Sequence, residues 1–253
     1  MGRDRAFGVR AAITGAVVLL VAGALALSRY RWDFAPAWQS RALFLEGLLM
    51  TLGVTAGGFL IGLAAGIAVA LARLSRSLPV RHLGDLYVEL IRGMPFIVQL
   101  TIAYWGFAPL VGLDNKYVVG IAALGLFAAA YIAEIFRAGI ESVERGQVEA
   151  ARSLGLTRKS ALRFVILPQA TKRMIPPLTG ELIALTKESS LLFYIGVVEL
   201  MSVSRQTGIR TYATFEAYLV VALFYLCVTF PLSLLARRLE RRLGQAAPLP
   251  EHL

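Results

Sequence analysis

The sequence predicts an all-α integral membrane protein with six transmembrane helices. Of its residues, 57% are hydrophobic and only 17% are charged, whereas charged residues make up about 25% of a typical soluble domain. The charged residues also lie between long charge-free stretches instead of being spread evenly. This distribution is the pattern of a chain that crosses a membrane several times.

The individual spans follow from the length that a bilayer requires. A transmembrane helix needs about 20 mostly apolar residues, because each residue rises ~1.5 Å and the hydrocarbon core is ~30 Å thick. Charge-free segments that fit are 11–27, 47–72, 93–113, 117–133 and 217–236. A sixth span is predicted over 176–200 although it contains the ionisable residues Glu181, Lys187, Glu188 and Glu199. Without it, the basic cluster at 237–242 would lie outside the cell.

The basic residues predict the orientation. With six spans and a cytoplasmic N-terminus, the inside segments hold 18 Lys and Arg residues and the outside segments hold 6. Basic residues in short loops favour the cytoplasm, so both termini are predicted to be cytoplasmic. The chain then divides into an N-terminal span with an outside linker (1–40), a transmembrane core (41–237) with a cytoplasmic loop (139–173), and a tail (238–253).

The first span has an alternative interpretation. Arg3, Arg5 and Arg10 precede an apolar run that ends in small residues at 24–26, and this order is also typical of a cleavable signal peptide. We favour a retained helix. In both cases the core begins on the outside, so the predicted topology of the remaining spans is the same.

The composition also argues against several chemistries. The net charge of +10 does not indicate nucleic-acid binding, because the arginines lie between apolar spans and not on one soluble face. His82 and His252 are isolated and Cys227 is the single cysteine, so neither a metal site nor an intrachain disulfide is predicted. The Gly-Lys dipeptide of a phosphate-binding loop does not occur.

Two patterns predict how the helices pack and turn. Gly58, Gly62 and Gly66 recur at four-residue spacing in the second span, and small residues at that spacing let two helix backbones approach closely. The Arg-Gly-Met-Pro sequence at 92–95 predicts an entry turn near the cytoplasmic surface, since proline fits the first turn of a helix. Arg92 would then reach the lipid headgroups.

The loop from 137 to 173 carries the signals of two short helices. Gly155 suits the left-handed position that ends a helix, and Thr157 suits the N-cap of a second helix. Pro168 is predicted to end that second helix. The first helix presents a small, nearly flat face made of Ala150, Ala151, Leu154 and Gly155. Such a face fits a shallow groove on another protein, while an amphipathic helix on the membrane surface is the alternative.

This loop resembles a motif of ABC importer permeases. The motif is Glu-Ala-Ala, three residues, Gly, nine residues, Ile, one residue and Leu-Pro. It is matched here by Glu149, Ala150, Ala151, Gly155, Leu167 and Pro168. Val165 stands where Ile is usual. In that family the segment is the coupling helix, which sits in a cleft of the ATP-hydrolysing subunit, and the flat face adds Leu154 to the implied docking surface.

Other stretches are similar to the branch of that family that carries polar amino acids such as histidine, glutamine and arginine, or opines. They are residues 131–140, 187–191, 195–200 and 92–95, where Met94 replaces the usual Thr. The resemblance covers roughly residues 43–236. It implies the five-helix core of a type I importer, with one additional N-terminal span.

The resemblance implies a permease subunit that forms the pathway for a polar amino acid across the bacterial cytoplasmic membrane. It implies no cofactor in this chain, because a separate ATPase subunit binds Mg-ATP. The other implied partners are a second permease, identical or a sister chain, and an external amino-acid-binding protein. An importer of an opine, a metal chelate or an osmolyte is the alternative. A channel or an intramembrane enzyme is more remote, since no span contains Asp and no histidine pair occurs.

Polar residues in the spans are candidates for the translocation pathway, because ionisable groups are costly in lipid. The candidates are Lys187, Glu188, Ser189, Glu181, Gln99 and Glu134. Lys187 is a candidate partner for the carboxylate of an amino acid, and a buried ion pair with another helix is the alternative. For Glu134, a local pair with Arg137 three residues later is the favoured interpretation.

Overall fold

The computed structural model describes residues 30–243, together with positions 15, 18 and 23. The chain divides into two compact units, residues 1–35 and residues 36–253. The predicted first span, 11–27, lies outside the described residues apart from those three positions, and so do the end of the tail from 244 onwards and His252.

The regular structure of the described residues is helical throughout. The α-helices are α1 (Ala35–Gln39), α2 (Arg41–Arg73), α3 (Leu78–Arg92), α4 (Phe96–Leu110), α5 (Lys116–Glu141), α6 (Arg145–Ser153), α7 (Arg158–Ala161), α8 (Leu167–Glu188), α9 (Leu200–Thr211) and α10 (Thr214–Arg242). A π-helical turn, Ile102–Phe107, lies within α4, and a second one, Leu162–Ile166, joins α7 to α8. A 3-10 helix, Ser189–Ile195, follows α8.

Three helices in the described part of the chain, α2, α5 and α10, are long and apolar enough to cross a membrane. The pair α3–α4 qualifies as a fourth crossing if it is taken as one span, although it is bent by 105°. The predicted span at 176–200 corresponds to α8 and the 3-10 helix, but α8 already begins at residue 167. Helix α8 is not among the described helices that are long and apolar enough to cross a membrane.

The glycine stripe of α2 packs against α5, as the sequence predicts. A Cβ atom placed on Gly62 would lie 2.8 Å from Cβ of Ala128, and one on Gly66 would lie 2.7 Å from Cγ2 of Ile132. Distances below 3.0 Å would force neighbouring atoms to shift, so the two helices pack closely at positions 62 and 66 because these residues have no side chain. The prediction of close helix packing at this stripe is confirmed.

The predicted entry turn at 92–95 is the break between α3 and α4. Helix α3 ends at Arg92, and Pro95 is the N-cap of α4. The side-chain amide of Gln99 donates hydrogen bonds to the carbonyl oxygens of Ile91, at 2.7 Å, and Met94, at 2.9 Å. Gln99 therefore satisfies carbonyl groups that the break leaves without helical partners.

The prediction that Pro168 ends the second loop helix is wrong, because the chain remains helical through this residue. Helix α7 continues into the π-helical turn Leu162–Ile166, and Pro168 occupies the first turn of α8. Proline lacks an N–H group and its ring clashes with the carbonyl four residues earlier. That carbonyl belongs to Phe164, inside the π-helical turn, where the wider backbone accommodates the ring.

Two further prolines, Pro176 and Pro177, lie inside α8. Each one leaves the carbonyl group four residues before it without the usual helical N–H partner. Helix α8 therefore lacks two of its backbone hydrogen bonds near its middle.

A buried carboxylate organises the end of the bundle opposite to the loop helices. Glu199 is the N-cap of α9, and its side chain accepts hydrogen bonds from the backbone N–H groups of Met201 and Ser202 and from the hydroxyl of Tyr225. Nearby, the backbone N–H of Leu200 donates to Oγ1 of Thr51 in α2. These bonds tie α9 to α2 and α10.

Candidate coupling surface and translocation cavity

Helix α6 and the turn after it have the local structure that the sequence predicts. Gly155 has a φ of +84°, in the left-handed region that ordinary side chains avoid. The side chain of Thr157 accepts a hydrogen bond from the backbone N–H of Ser160, so Thr157 caps α7. The helix–turn–helix interpretation of this loop is therefore confirmed at the level of the backbone.

The side chains of α6 divide between two sides. Leu154 is 84% exposed, and Glu149, Ala150 and Gly155 are also exposed. Ala151 is only 5% exposed, so it faces the protein and not the surface that the sequence assigns to docking. Leu167 and Pro168 are exposed as well, on the first turn of α8.

The segment that leads into α6 is held against α8. Val143 forms a buried cluster with Ala170 and Met174 of α8, and the guanidinium of Arg173 donates a hydrogen bond to the backbone carbonyl of Ser142. Gly139 of α5 is so close to Met174 that a Cβ atom there would lie 2.5 Å from its Cγ. The residues immediately before α6 are therefore in direct contact with α8.

An ion-pair network joins α2, α3 and α5 near the start of this loop. Arg73, at the end of α2, contacts Asp85 of α3 and Glu134 of α5, with both N–O distances 2.7 Å. Glu134 also forms the predicted local pair with Arg137, which in turn contacts Glu141. The side chain of Arg73 is only 12% exposed, so its two carboxylate contacts are largely shielded from water.

We expect Arg73→Gln to loosen α3, because Asp85 and Glu134 both lose a charge-assisted partner, each worth about 1.5–3 kcal/mol. The melting temperature of the solubilised protein should fall by several degrees. Arg238→Gln, at an exposed position of α10, should leave it unchanged. A double-mutant cycle with Asp85→Asn should be non-additive, and additive losses would contradict the direct contact.

A cavity of about 650 Å³ lies between α5, α8 and the end of α3. Its lining includes Arg92, Tyr131, Glu134, Arg173, Pro177 and Glu181. The guanidinium of Arg92 lies 5.4 Å from the centre of the Tyr131 ring, a cation–π contact. Two basic and two acidic side chains therefore line one cavity.

Glu181 is the most unusual of these residues. It is buried, and within residues 30–243 its Oε1 atom has no hydrogen-bond partner. A buried polar atom without a partner costs about 1–3 kcal/mol, so a carboxylate left in this condition beside a cavity is a candidate ligand-binding group.

The other sequence candidates lie elsewhere. Lys187 and Glu188 are the last two residues of α8, with Lys187 exposed, and they are not among the residues that line the cavity. The hydroxyl of the buried Ser189 donates a hydrogen bond to the carbonyl of Thr186. The side-chain amide of Gln99 donates to the carbonyl oxygens of Ile91 and Met94 at the break between α3 and α4. Of the six candidates, the structure brings only Glu181 and Glu134 together around the cavity.

Two cavity residues, Arg92 and Arg173, were not predicted as pathway residues. The sequence analysis assigns Arg92 to the lipid headgroups. Its position in the Arg-Gly-Met-Pro motif at 92–95 could have identified it as a candidate pathway residue. Arg173 offers no local signal, because its position on the cavity depends on how α8 packs against α5. Within the described residues, no group of three potential metal ligands occurs.

Three helices of the described chain that are long and apolar enough to cross a membrane, a cavity lined by charged side chains and exposed short helices at one end are features that fit a membrane transport subunit. The chain belongs to the family of binding-protein-dependent transport system inner membrane components, whose model matches residues 58–245. It is therefore a multi-pass inner membrane protein and not an enzyme, and the ATPase of such a system is a separate subunit.

Several relatives match nearly the whole core. The chain is 35% identical over 212 residues to the arginine transport system permease protein ArtQ of Bacillus subtilis, which covers 83% of this chain and 97% of that protein. It is 35% identical over 216 residues to the glutamine transport system permease protein GlnP of Escherichia coli, covering 84% and 98%. The crystal structure of an amino acid ABC transporter with histidines matches with a TM-score of 0.80, 38% identity and coverage of 84% and 100%.

Proposed function

We propose that this chain is the permease subunit of an ATP-driven importer and that the amino acid it carries is polar. The observation that carries this proposal is the cavity lined by Arg92, Arg173, Glu134 and Glu181, with a carboxylate oxygen of Glu181 left without a partner. The names of the arginine and glutamine permeases it resembles support the same solute class.

The charges of the cavity suit a zwitterion. Guanidinium groups bind carboxylates with two parallel hydrogen bonds, so Arg92 and Arg173 are the proposed partners of the α-carboxylate. Glu181 and Glu134 are the proposed partners of the α-ammonium group or of a basic side chain. Glu134 is already held by Arg73 and Arg137, which leaves Glu181 as the acceptor that a solute would satisfy.

The proposed drive comes from a separate ATPase bound at α6. In this arrangement Glu149, Ala150, Leu154 and Gly155 form the docking surface, Ala151 anchors α6 to the bundle, and Leu167 and Pro168 border the surface. Val143, which precedes α6, packs against α8, and Arg173 of α8 donates a hydrogen bond to the carbonyl of Ser142. These contacts support the proposal that movement of this surface is transmitted to the cavity. Mg-ATP belongs to the partner subunit.

The remaining parts of the assembly are proposals of the same kind. A second permease, identical or a sister chain, completes the pathway, and an external amino-acid-binding protein delivers the solute. Both termini are cytoplasmic, and a first span at 11–27 adds to a five-span core, giving six. The proposed division of the chain is 1–40, 41–237 with the coupling loop 139–173, and 238–253.

The four remaining polar candidates are secondary pathway residues in this proposal. They are Lys187, Glu188, Ser189 and Gln99.

We expect Glu181→Gln to lower uptake of the transported amino acid about tenfold or more in proteoliposomes that contain the whole transporter. The substitution keeps the shape of the side chain but removes the charge, and a contact to a charged group is worth about 1.5–3 kcal/mol. Because Glu181 already lacks a partner for Oε1, the melting temperature should not fall.

Glu188→Gln and Lys187→Gln are the matched controls, because they change charge on the same helix outside the cavity. Both should retain clearly more uptake than Glu181→Gln, because neither residue lines the cavity. Loss of uptake in these two variants, with normal uptake in Glu181→Gln, would place the pathway at the end of α8 and contradict the proposal.

The solute class has its own test. The ATPase activity of the complete transporter should be stimulated by the binding protein when it is loaded with one or more polar amino acids. Stimulation by an opine or an osmolyte, with none by any amino acid, would overturn the assignment of the solute but not of the permease.

A further inference from the structure

Helix α3 carries an apolar stripe that no other part of the described chain covers. Pro79, Leu83, Leu86 and Leu90 recur at intervals of four, three and four residues, which places them on one side of a helix. Leu83 is 66% exposed and Leu90 is 53% exposed. Such a stripe of exposed leucines is unfavourable in water.

The other sides of α3 are accounted for. Gly84 and Val88 face the bundle, where Val88 packs with Ala70 of α2 and with Ala130 and Ala133 of α5. Opposite the stripe, Asp85 is held by Arg73, and Arg92 lines the cavity. The stripe therefore points away from the cavity, towards the outside of the bundle.

The depth of α3 follows from its contacts with α5. The charge-free stretch of α5 ends at Ala133, and Glu134 is the next residue. Val88 contacts Ala133 and Ala130, while the hydroxyl of Tyr87 donates to the carbonyl of Leu126 one to two turns deeper in the apolar stretch. Helix α3 thus crosses α5 where apolar sequence gives way to charge, which is the headgroup boundary of a bilayer.

The bend to α4 gives the same placement. The axes of α3 and α4 differ by 105°, so α3 runs nearly parallel to the membrane plane when α4 runs along the membrane normal. A helix that lies in this plane with an apolar side and a charged side has the form of an interfacial amphipathic helix. The charged residues of α3 are Arg81, Asp85, Glu89 and Arg92, so both signs of charge are present.

The exposed basic residues at the start of α3 indicate the kind of lipid. Arg76, Arg81 and His82 are exposed at the start of the helix, and Arg81 keeps 60% of its side chain exposed while lying 3.9 Å from Asp85. Basic residues at the boundary attract the anionic headgroups of the cytoplasmic leaflet. Arg76 and Arg81 extend from the end of the helix that borders the turn after α2.

The geometry points to α3 as a lipid-binding helix, with its leucine stripe in the acyl region and with Arg76 and Arg81 on anionic phospholipid headgroups. The inference that the lipid is anionic depends on the proposed function, because it assumes that α6, at the same end of the bundle as α3, is cytoplasmic. The placement in lipid does not depend on the solute or on the ATPase.

The test uses the complete transporter in liposomes, in a Cys227→Ser background labelled with the fluorophore NBD at one introduced cysteine. Adjacent residues of a helix point about 100° apart, so Leu90→Cys is paired with Glu89→Cys, and Leu83→Cys with His82→Cys. Labels at the leucine positions should emit at shorter wavelength and be quenched at least twofold more by doxyl lipids than their neighbours.

Two results would overturn the lipid placement. Equal quenching by aqueous iodide within each pair would show that the stripe lies in water. Protection of the leucine positions from both iodide and doxyl lipids would show that protein, such as a second copy of the chain, covers the stripe.

The lipid charge is measured with the Leu83→Cys label, which lies close to Arg81, by comparing quenching by doxyl-phosphatidylglycerol and doxyl-phosphatidylcholine. A preference for the anionic lipid of up to about fivefold per basic residue is expected, and Arg76→Gln with Arg81→Gln should lower it towards one. A ratio of one before substitution would refute the role of the arginines. Amino-acid uptake is recorded separately, so a wrong solute assignment does not affect this result.

Discussion

Replacing Gly155 by Val should abolish most ATP-driven uptake while leaving the permease inserted in the membrane. Gly155 has a φ of +84°, and a β-branched residue in this region costs about 1–3 kcal/mol. The turn between α6 and α7 would change conformation to relieve this strain, and α6 would lose the orientation that the proposed docking requires. A cost of about 2 kcal/mol corresponds to a roughly thirtyfold loss of the docked geometry. Copurification of the ATPase subunit and uptake by proteoliposomes measure the effect.

The site offers controls that separate backbone strain from side-chain bulk. No atom lies within 4 Å of a Cβ placed on Gly155, and the same is true of Gly146 in α6, which has no positive φ. Gly146→Val should therefore remain close to the parent, and Gly155→Asn should be intermediate because Asn tolerates the left-handed region. Normal uptake and copurification with Gly155→Val would show that the turn does not position a coupling surface.

Gly66→Leu should strongly destabilise the α2–α5 contact. A Cβ atom at this position would lie 2.7 Å from Cγ2 and 2.8 Å from Cβ of Ile132, and 3.0 Å from the carbonyl oxygen of Ala129. Backbone atoms cannot move aside as the end of a flexible side chain can, so the two helices must separate. Overpacking of this kind costs about 1–3 kcal/mol or more, and the melting temperature of the solubilised protein should fall by about 5–10 °C.

Gly53→Leu is the matched control, since the same substitution in the same helix meets no atom within 4 Å. It should be neutral or slightly stabilising, because Leu favours a helix over Gly. The double variant Gly66→Leu with Ile132→Ala should regain part of the lost stability, because the shorter side chain opens space opposite residue 66. Equal melting temperatures for Gly66→Leu and Gly53→Leu would contradict the close contact.

Features governed by a few neighbouring residues could be predicted from the sequence. The left-handed Gly155, the cap at Thr157 and the α3–α4 break depend on local backbone preferences, which each residue carries with it. The glycine stripe of α2 could also be predicted, because a four-residue repeat specifies which face of a helix is small. Pro168 shows the limit of this reasoning, since a π-helical turn absorbed the proline that a local rule treats as a terminator.

Contacts between distant residues could not be predicted. Arg73 joins Asp85 and Glu134, which lie 12 and 61 positions further along the chain, and sequence pairing rules cover only neighbours within one helix. For the same reason the pathway candidates Lys187 and Glu188 could not be separated from Glu181 before α5 and α8 were placed. Ionisable character in a span identifies a functional candidate but does not show which side chains share a cavity.

The two prolines inside α8 give that helix a mechanical property that a regular helix lacks. Pro176 and Pro177 lie between Arg173, which donates a hydrogen bond to the backbone carbonyl of Ser142 before α6, and Glu181, which lines the cavity. Because backbone hydrogen bonds are missing at this point, α8 is expected to bend more easily here than a regular helix. In the proposed transport cycle, a movement of α6 would bend α8 at these prolines and change the distance between Arg173 and Glu181 across the cavity, which would weaken the proposed binding of a zwitterion.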